Sequence, residues 1–383
     1  MYYRTKILHT GIDKDPYTGA SSIAICQGST FAQADPLVFG KYKYGRSSNP
    51  TRDALEQIVA VLEGGTRGFA FSSGMAAISS VLLLFKTGNH ILVSEDVYGG
   101  THRVLTKLFD RWGLRHSFAD ISTPQKVRRA LEPDTVAIFA ESPSNPTLKI
   151  TDLEGLVEVA REKDIVTIID NTFMSPFLQR PIELGFDIVI HSATKFLGGH
   201  SDLISGVVIT KDVEWGSRLR EIQVAFGAIL GPQDSWLLMR GIKTLGARME
   251  IQQRNAQAIA SWLSTQPQIE KVYYPGLESH PDREVHFKQA SGPGAVVSFE
   301  LKTVEATHAF LRSVMLPLLA VSLGGVESIL SYPATMSHAT VPAEERLPRG
   351  ITDKLVRLSV GLEAPEDLIE DFGQALTKAA KSG

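Results

Sequence analysis

From Gly68 onward, short apolar runs alternate with longer stretches in which apolar and polar residues share a helical period. The runs at 68–72, 90–94, 135–141, 165–170 and 188–192 have the length and near-continuous apolarity of strands buried on both faces. The spacing predicts helices over 75–86, 101–112, 124–131 and 153–163, and Thr151-Asp152 supplies N-cap chemistry for the last. Such alternation predicts a mainly parallel sheet. Polar residues gather just after the strands, as Ser72-Ser73-Gly74, Glu141-Ser142-Pro143, Asp170-Asn171-Thr172 and Ser192-Ala193-Thr194-Lys195. Ligands of open α/β sheets bind at those carboxyl ends.

After about Gly241 the pattern changes to a long helix at 242–263, a strand at 295–301, a helix at 304–314 and a closing helix at 365–380. This predicts a smaller α+β domain. The residues before 49 lack clear periodicity and read as an extended arm. The expected organisation is an arm at 1–48, a ligand-binding domain at 49–241 and a C-terminal domain at 242–383.

Composition narrows the partners. The 39 basic and 42 acidic residues leave no cationic excess for a phosphate backbone, which argues against nucleic acid. No apolar run reaches the roughly 20 residues of a membrane helix. The lone cysteine, Cys26, cannot form an intrachain disulfide, and the first ten residues lack a long apolar stretch, so a cytoplasmic location is expected. His280 and His286 have no accompanying motif of ligand spacing; no metal is expected, and both read as surface residues.

The chemistry concentrates around Lys195. A lysine straight after a buried strand has its ammonium disfavoured relative to the usual pKa of ~10.4, which favours the neutral amine that attacks an aldehyde. That suits a Schiff-base lysine, although an isolated Ser-x-Thr-Lys also occurs on surfaces. Asp170 ends an apolar strand 25 residues earlier (195 − 170), where it could pair with a pyridinium nitrogen or cap the next turn. Ser73-Gly74-Met75 opens a helix after a strand and makes a phosphate seat, to which Ser192 and Thr194 could add hydroxyls. Tyr98, next to Gly99-Gly100, could stack on an aromatic ring or sit in the core. Arg357 interrupts an apolar run and needs an anion, either a substrate carboxylate or a structural acid. Together these groups are what pyridoxal 5′-phosphate requires.

At these residues the sequence resembles the Cys/Met-metabolism (trans-sulfuration) family of fold-type I pyridoxal-phosphate enzymes, which includes cystathionine lyases, cystathionine γ-synthase and methionine γ-lyase. The motifs are Tyr44-Gly45-Arg46, Asn49-Pro50-Thr51, Ser72-Ser73-Gly74-Met75-Ala76, Asp170-Asn171-Thr172, the segment 191–199, Ser322-Leu323-Gly324-Gly325 and Arg357-Leu358-Ser359-Val360-Gly361. The resemblance implies an α/β, aspartate-aminotransferase-like fold. It implies that Lys195 carries the cofactor, Asp170 holds its ring nitrogen, Tyr98 stacks on it, and Gly74, Met75, Ser192 and Thr194 contact its phosphate. It further implies that Arg357 binds the substrate carboxylate, Ser322 positions Lys195, and Asn145 lies near the cofactor's phenolic oxygen. Tyr44 and Arg46 would enter a neighbouring subunit's site within a homotetramer of catalytic dimers.

Members acting at Cγ often carry Glu immediately before the serine of the Ser-Leu-Gly-Gly motif, where this chain has Val321. Methionine γ-lyases typically carry cysteine where this chain has Gly100. The string 320–333 looks most like that of bacterial cystathionine β-lyases, so β-elimination from L-cystathionine is the expected reaction. The alternatives are γ-lyase, γ-synthase or methionine γ-lyase activity, or a non-catalytic binding homologue.

Overall fold

The computed structural model describes residues 1–11, 14–15, 17–339 and 341–381. A seven-stranded sheet contains β1 Arg67–Phe71, β2 His90–Ser94, β3 Arg115–Ala119, β4 Thr135–Glu141, β5 Val166–Asp170, β6 Ile188–Ser192 and β7 Gly206–Thr210. Their order is β1-β7-β6-β5-β4-β2-β3, with β7 antiparallel to both neighbours and the strands from β6 to β3 mutually parallel. All five predicted strands are present with small shifts at their ends.

Two strands of this sheet were not legible. β3 is a half-buried edge strand, Arg-His-Ser-Phe-Ala, with no apolar run. β7 runs antiparallel to β6 and so needs no crossover helix, which removes the alternation that marks the others.

Strand residues pointing to opposite faces feed two cores. Ala140, Ile169, Val189 and Val207 pack with helices Pro50–Glu63 and Leu153–Glu162. Phe139, Ile168, Ile190 and Val208 pack with helices Gly74–Leu82 and Gly99–Lys107. Asp152 caps its helix as expected, accepting from the Gly155 N–H at 3.0 Å.

The second sheet has five strands, β8 Ile269–Tyr273, β9 Val296–Leu301, β10 Leu318–Leu319, β11 Ile329–Ser331 and β12 Leu355–Ser359, in the order β10-β11-β12-β9-β8. Helices Val304–Leu311 and Pro365–Ala379 cover it. The helix expected at 242–263 is present as Leu245–Leu263, and a separate, unpredicted helix, Pro232–Lys243, ends just before it. At the joint the Thr244 hydroxyl donates to Gly241 O at 3.0 Å, a local bond that competes with helix continuation.

Two further expectations are corrected. The N-terminal segment begins with a packed helix, Tyr3–His9: Ile7 is buried in the core and the Tyr3 hydroxyl donates to Leu62 O at 2.9 Å. His286 is buried rather than superficial, because its helix Arg283–Gln289 folds back so that Nε2 meets Gly292 O at 2.9 Å. Among the described residues no His, Cys, Asp and Glu group is arranged to hold a metal, and no helix is long and apolar enough to cross a membrane.

Candidate active site

The carboxyl ends of β4, β5 and β6 open on a cavity of about 440 Å³. Of the sequence-predicted residues, Gly74, Met75, Tyr98, Asn145, Asp170, Ser192, Thr194, Lys195, Val321, Ser322 and Arg357 line it. Tyr44 and Arg46 do not line this chain's cavity: Arg46 donates to Val224 O and lies over the Tyr44 ring, which is itself exposed.

Lys195 follows β6 in a tight turn. Its Nζ donates to Ser322 Oγ at 2.5 Å. Burial, and then the Arg357 cation, bring the ammonium down to about 8. The turn carrying Ser322 can lie this close because a Cβ at Gly324 would sit 2.6 Å from Phe196 N. Gly324 also has φ +82°, where glycine is favoured.

Arg357 lies on β12 and is buried. Its Nη1 donates to Asn145 Oδ1 and its Nη2 to Ser322 O, both at 2.7 Å, while Nε–H has no partner. Burial lowers its pKa to about 10, opposed by Glu141 and Tyr98. Asn145 thus spends its carbonyl on orienting the arginine.

Asp170 and Glu141 are paired neighbours on β5 and β4. Burial and the nearby Asp170 raise Glu141 well above the carboxylate range, while the Tyr98 N–H, 2.9 Å from Oε2, opposes the shift. Burial also raises Asp170, but the Thr172 bonds and His191 oppose the shift. Two adjacent buried carboxylates resist ionising together, and the Thr172 donors favour the charge on Asp170 while Glu141 is pushed up the further. The Thr172 N–H at 3.0 Å and hydroxyl at 2.5 Å both donate to Asp170 Oδ1. Its Oδ2 has no donor among the described residues.

Helix Gly74–Leu82 points its N-terminus at the cavity. Ser73 Oγ caps the Ala76 N–H at 3.0 Å, and the earlier N–H groups of Gly74 and Met75 have no acceptor within the helix. A Cβ on Gly74 would lie 3.0 Å from Ser192 Oγ, filling the notch between helix and strand. Thr194 spends its hydroxyl on the backbone, donating to Ser205 O at 3.1 Å and accepting from Ser205 N–H at 3.0 Å. A Cβ on Gly100 would lie 2.4 Å from Tyr98 Cε1 and 2.6 Å from Met75 Sδ, so glycine makes room for that ring.

The lining residues missed by sequence reasoning include two with ionisable side chains, Glu141 and Arg103. Glu141 ended a recognised strand, but its pairing with Asp170 depends on register. Arg103 lies one turn into helix Gly99–Lys107, where helical spacing from Gly99 would have brought it to the cavity.

A phosphate seat at a helix terminus, a carboxylate with an open oxygen and an amine of lowered pKa define a site for an aldehyde-bearing, phosphorylated pyridine. Residues 4–377 match the family described as Cys/Met metabolism PLP-dependent enzyme, and the chain belongs to it. It is 54% identical over 376 residues to cystathionine beta-lyase MetC of Bacillus subtilis, covering 98% of this chain and 96% of that one. It is 50% identical to the cystathionine gamma-lyase of the same organism, covering 98% and 99%. The solved cystathionine gamma-lyase of Lactobacillus plantarum, complexed with L-serine, superposes with TM-score 0.97 at 44% identity, covering 99% of this chain and all of that one. The fold is therefore the α/β fold-type I architecture, and the cofactor is pyridoxal 5′-phosphate.

Proposed function

We propose that the chain is a cystathionine β-lyase, a carbon–sulfur lyase that converts L-cystathionine to homocysteine, pyruvate and ammonia. The observation that carries the reading is one cavity lined by Lys195, Asp170 and Arg357, with Lys195 Nζ held by Ser322. The amine of Lys195 would hold the cofactor covalently, Asp170 Oδ2 would pair with its ring nitrogen, the Gly74 and Met75 N–H groups with Ser192 would hold its phosphate, and Tyr98 would stack on its ring. Thr194 supports that phosphate seat by fixing the Ser205 backbone, and Asn145, which aims Arg357, would serve the phenolic oxygen.

When bound, pyridoxal phosphate withdraws electrons from the substrate Cα, which makes the α-proton removable. Arg357 grips the α-carboxylate as a fork and fixes which Cα bond faces Lys195. Lys195 Nζ, freed by the incoming substrate amine, takes the α-proton and later protonates the departing sulfur. Ser322 Oγ steers Nζ between those two positions. The Cβ–S bond breaks, and the released aminoacrylate hydrolyses to pyruvate and ammonia.

Support for the β-position comes from Val321, an apolar side chain on the cavity wall. γ-Lyase chemistry is the competing outcome, since relatives of both kinds are similar over nearly the whole chain.

Assembly into a homotetramer of catalytic dimers belongs to the same reading, with Tyr44 and Arg46 entering the neighbouring subunit's site, Arg46 on its phosphate. Leu37, Val38 and Phe39 on the same arm are exposed and call for a cover. On this reading residues 1–48 supply that arm beyond the packed helix Tyr3–His9, with 49–241 the cofactor domain and 242–383 the C-terminal domain. The lone cysteine fits a cytoplasmic enzyme.

The test is Lys195→Ala with pyridoxal phosphate and L-cystathionine. The variant should fold, release no pyruvate and lack the visible absorbance of lysine-bound cofactor. Turnover at the wild-type rate would remove Lys195 from the chemistry.

A further inference from the structure

Behind the cavity, on the opposite face of the large sheet, lies a buried polar network that none of the steps above uses. Glu63 ends helix Pro50–Glu63 and is fully buried. Its Oε1 meets His191 Nε2 at 2.6 Å and accepts from Asn171 Nδ2 at 3.0 Å. Asn171 Oδ1 accepts from Gln179 Nε2 at 3.0 Å, and the same amide donates to Ser142 O at 3.1 Å. The Asn171 N–H donates to Ile190 O at 2.9 Å, tying the end of β5 to β6.

Each backbone position the network holds neighbours a residue that lines the cavity. Ser142 follows Glu141, Asn171 follows Asp170 and His191 precedes Ser192. Because successive strand residues point to opposite faces, fixing the hidden residue fixes the aim of the exposed one. A buried carboxylate is costly to desolvate, and apolar packing would join helix to sheet without that cost. Glu63 Oε2, His191 Nδ1 and Gln179 Oε1 have no partner among the described residues, so what fixes the arrangement is the set of directed bonds converging on Glu63 Oε1 and the Asn171 and Gln179 amides, which admit fewer alternatives than packing alone.

We infer that Glu63 is a positioning residue, the hub through which His191, Asn171 and Gln179 hold the ends of β4, β5 and β6 at the spacing that Glu141, Asp170 and Ser192 need to receive the cofactor. The inference rests on the cofactor assignment above but not on which carbon–sulfur bond is cut. Glu63 touches neither cofactor nor substrate. It acts through the strand ends, so removing its charge alters how well the ring nitrogen and phosphate are met, while the Arg357 grip on substrate is untouched.

The experiment compares wild type with Glu63→Gln, which keeps the shape and an Oε1 acceptor but removes the charge facing His191 and Asn171 and puts an amide NH2 where Oε2 has no partner. Thermal melting reports the fold, the dissociation constant of pyridoxal phosphate and its absorption maximum report the site, and kcat and KM are read separately. The expected result for Glu63→Gln is a folded chain that binds pyridoxal phosphate about tenfold more weakly, the scale of one charged hydrogen bond. Its absorption maximum is displaced and kcat reduced while KM stays within twofold. Glu63→Asp should recover part of both losses.

A lowered melting temperature with cofactor affinity, spectrum and kcat within twofold of wild type would reduce the network to ordinary structural support and overturn the inference. Should Glu63→Gln not fold, Gln179→Met removes only the arm to Ser142 and Asn171 Oδ1. It should weaken cofactor binding about threefold, and an unchanged affinity there would likewise overturn the inference. Cofactor affinity is read without substrate, so an error about the reaction leaves this test intact. A wild type that binds no pyridoxal phosphate would instead strike the functional reading itself.

Discussion

Replacing Arg357 by lysine keeps the positive charge and removes the planar fork. Of the five N–H donors of a guanidinium, Asn145 Oδ1 and Ser322 O take one each at 2.7 Å, which leaves three, including the unpartnered Nε–H, for a substrate carboxylate. A lysine ammonium cannot satisfy Asn145, Ser322 and both carboxylate oxygens at once. Losing one charged hydrogen bond costs about 1.5–3 kcal/mol, which corresponds to a roughly 10- to 150-fold rise in KM at ~1.4 kcal/mol per tenfold. The assay is pyruvate release across a range of cystathionine concentrations, repeated with the carboxamide analogue, on which wild type and variant should converge. A companion Arg357→Gln removes the charge as well. Because that cation helps burial to hold Lys195 near 8, its loss raises the Lys195 pKa. The neutral amine then becomes available only at higher pH, and the midpoint for covalent capture of pyridoxal phosphate moves upward; in Arg357→Lys it should stay close to 8. A KM within twofold of wild type in Arg357→Lys, or a downward shift of the capture midpoint in Arg357→Gln, would refute the reasoning.

Other substitutions separate the remaining roles. Asp170→Asn keeps an acceptor for Thr172 and removes the charge facing the ring nitrogen, so kcat should fall on the order of 100-fold; steady-state turnover at saturating cofactor checks it. Glu141 is pushed up further than Asp170, and a glutamine copies its protonated form, so Glu141→Gln should leave kcat within about threefold. If turnover in Glu141→Gln collapses, the charge assignment within the pair is reversed. Gly100→Ala places a methyl against Tyr98 and Met75, which should displace the ring and change the absorption spectrum of bound cofactor, with little change in melting temperature.

Much of the large domain was legible because its physics is local. β6 opens with the apolar Ile188-Val189-Ile190 and runs into His-Ser-Ala-Thr-Lys, β5 is a largely apolar run ending in Asp, and Ser73 caps a helix that begins at once after β1. The placement of Lys195, Asp170 and Gly74 follows from those endings. What escaped depends on pairing between distant segments. That Glu141 stands beside Asp170 is a matter of β4–β5 register, and a one-residue slip would have sent it to the other face. The burial of His286 depends on how its helix folds back on Gly292, which no periodicity reveals. Thr194, expected to offer its hydroxyl to a phosphate, lines the cavity but spends that hydroxyl on Ser205, a partner eleven residues away that lies beyond the reach of any local pattern. The break at Thr244 was hidden because polar and apolar residues keep helical spacing across it.

The most direct test of the central claim is the identity of the keto acid formed when the purified enzyme, loaded with pyridoxal phosphate, is given L-cystathionine. Pyruvate in step with homocysteine is the predicted result. Formation of 2-oxobutyrate with cysteine would contradict the β-elimination assignment and the weight placed on Val321.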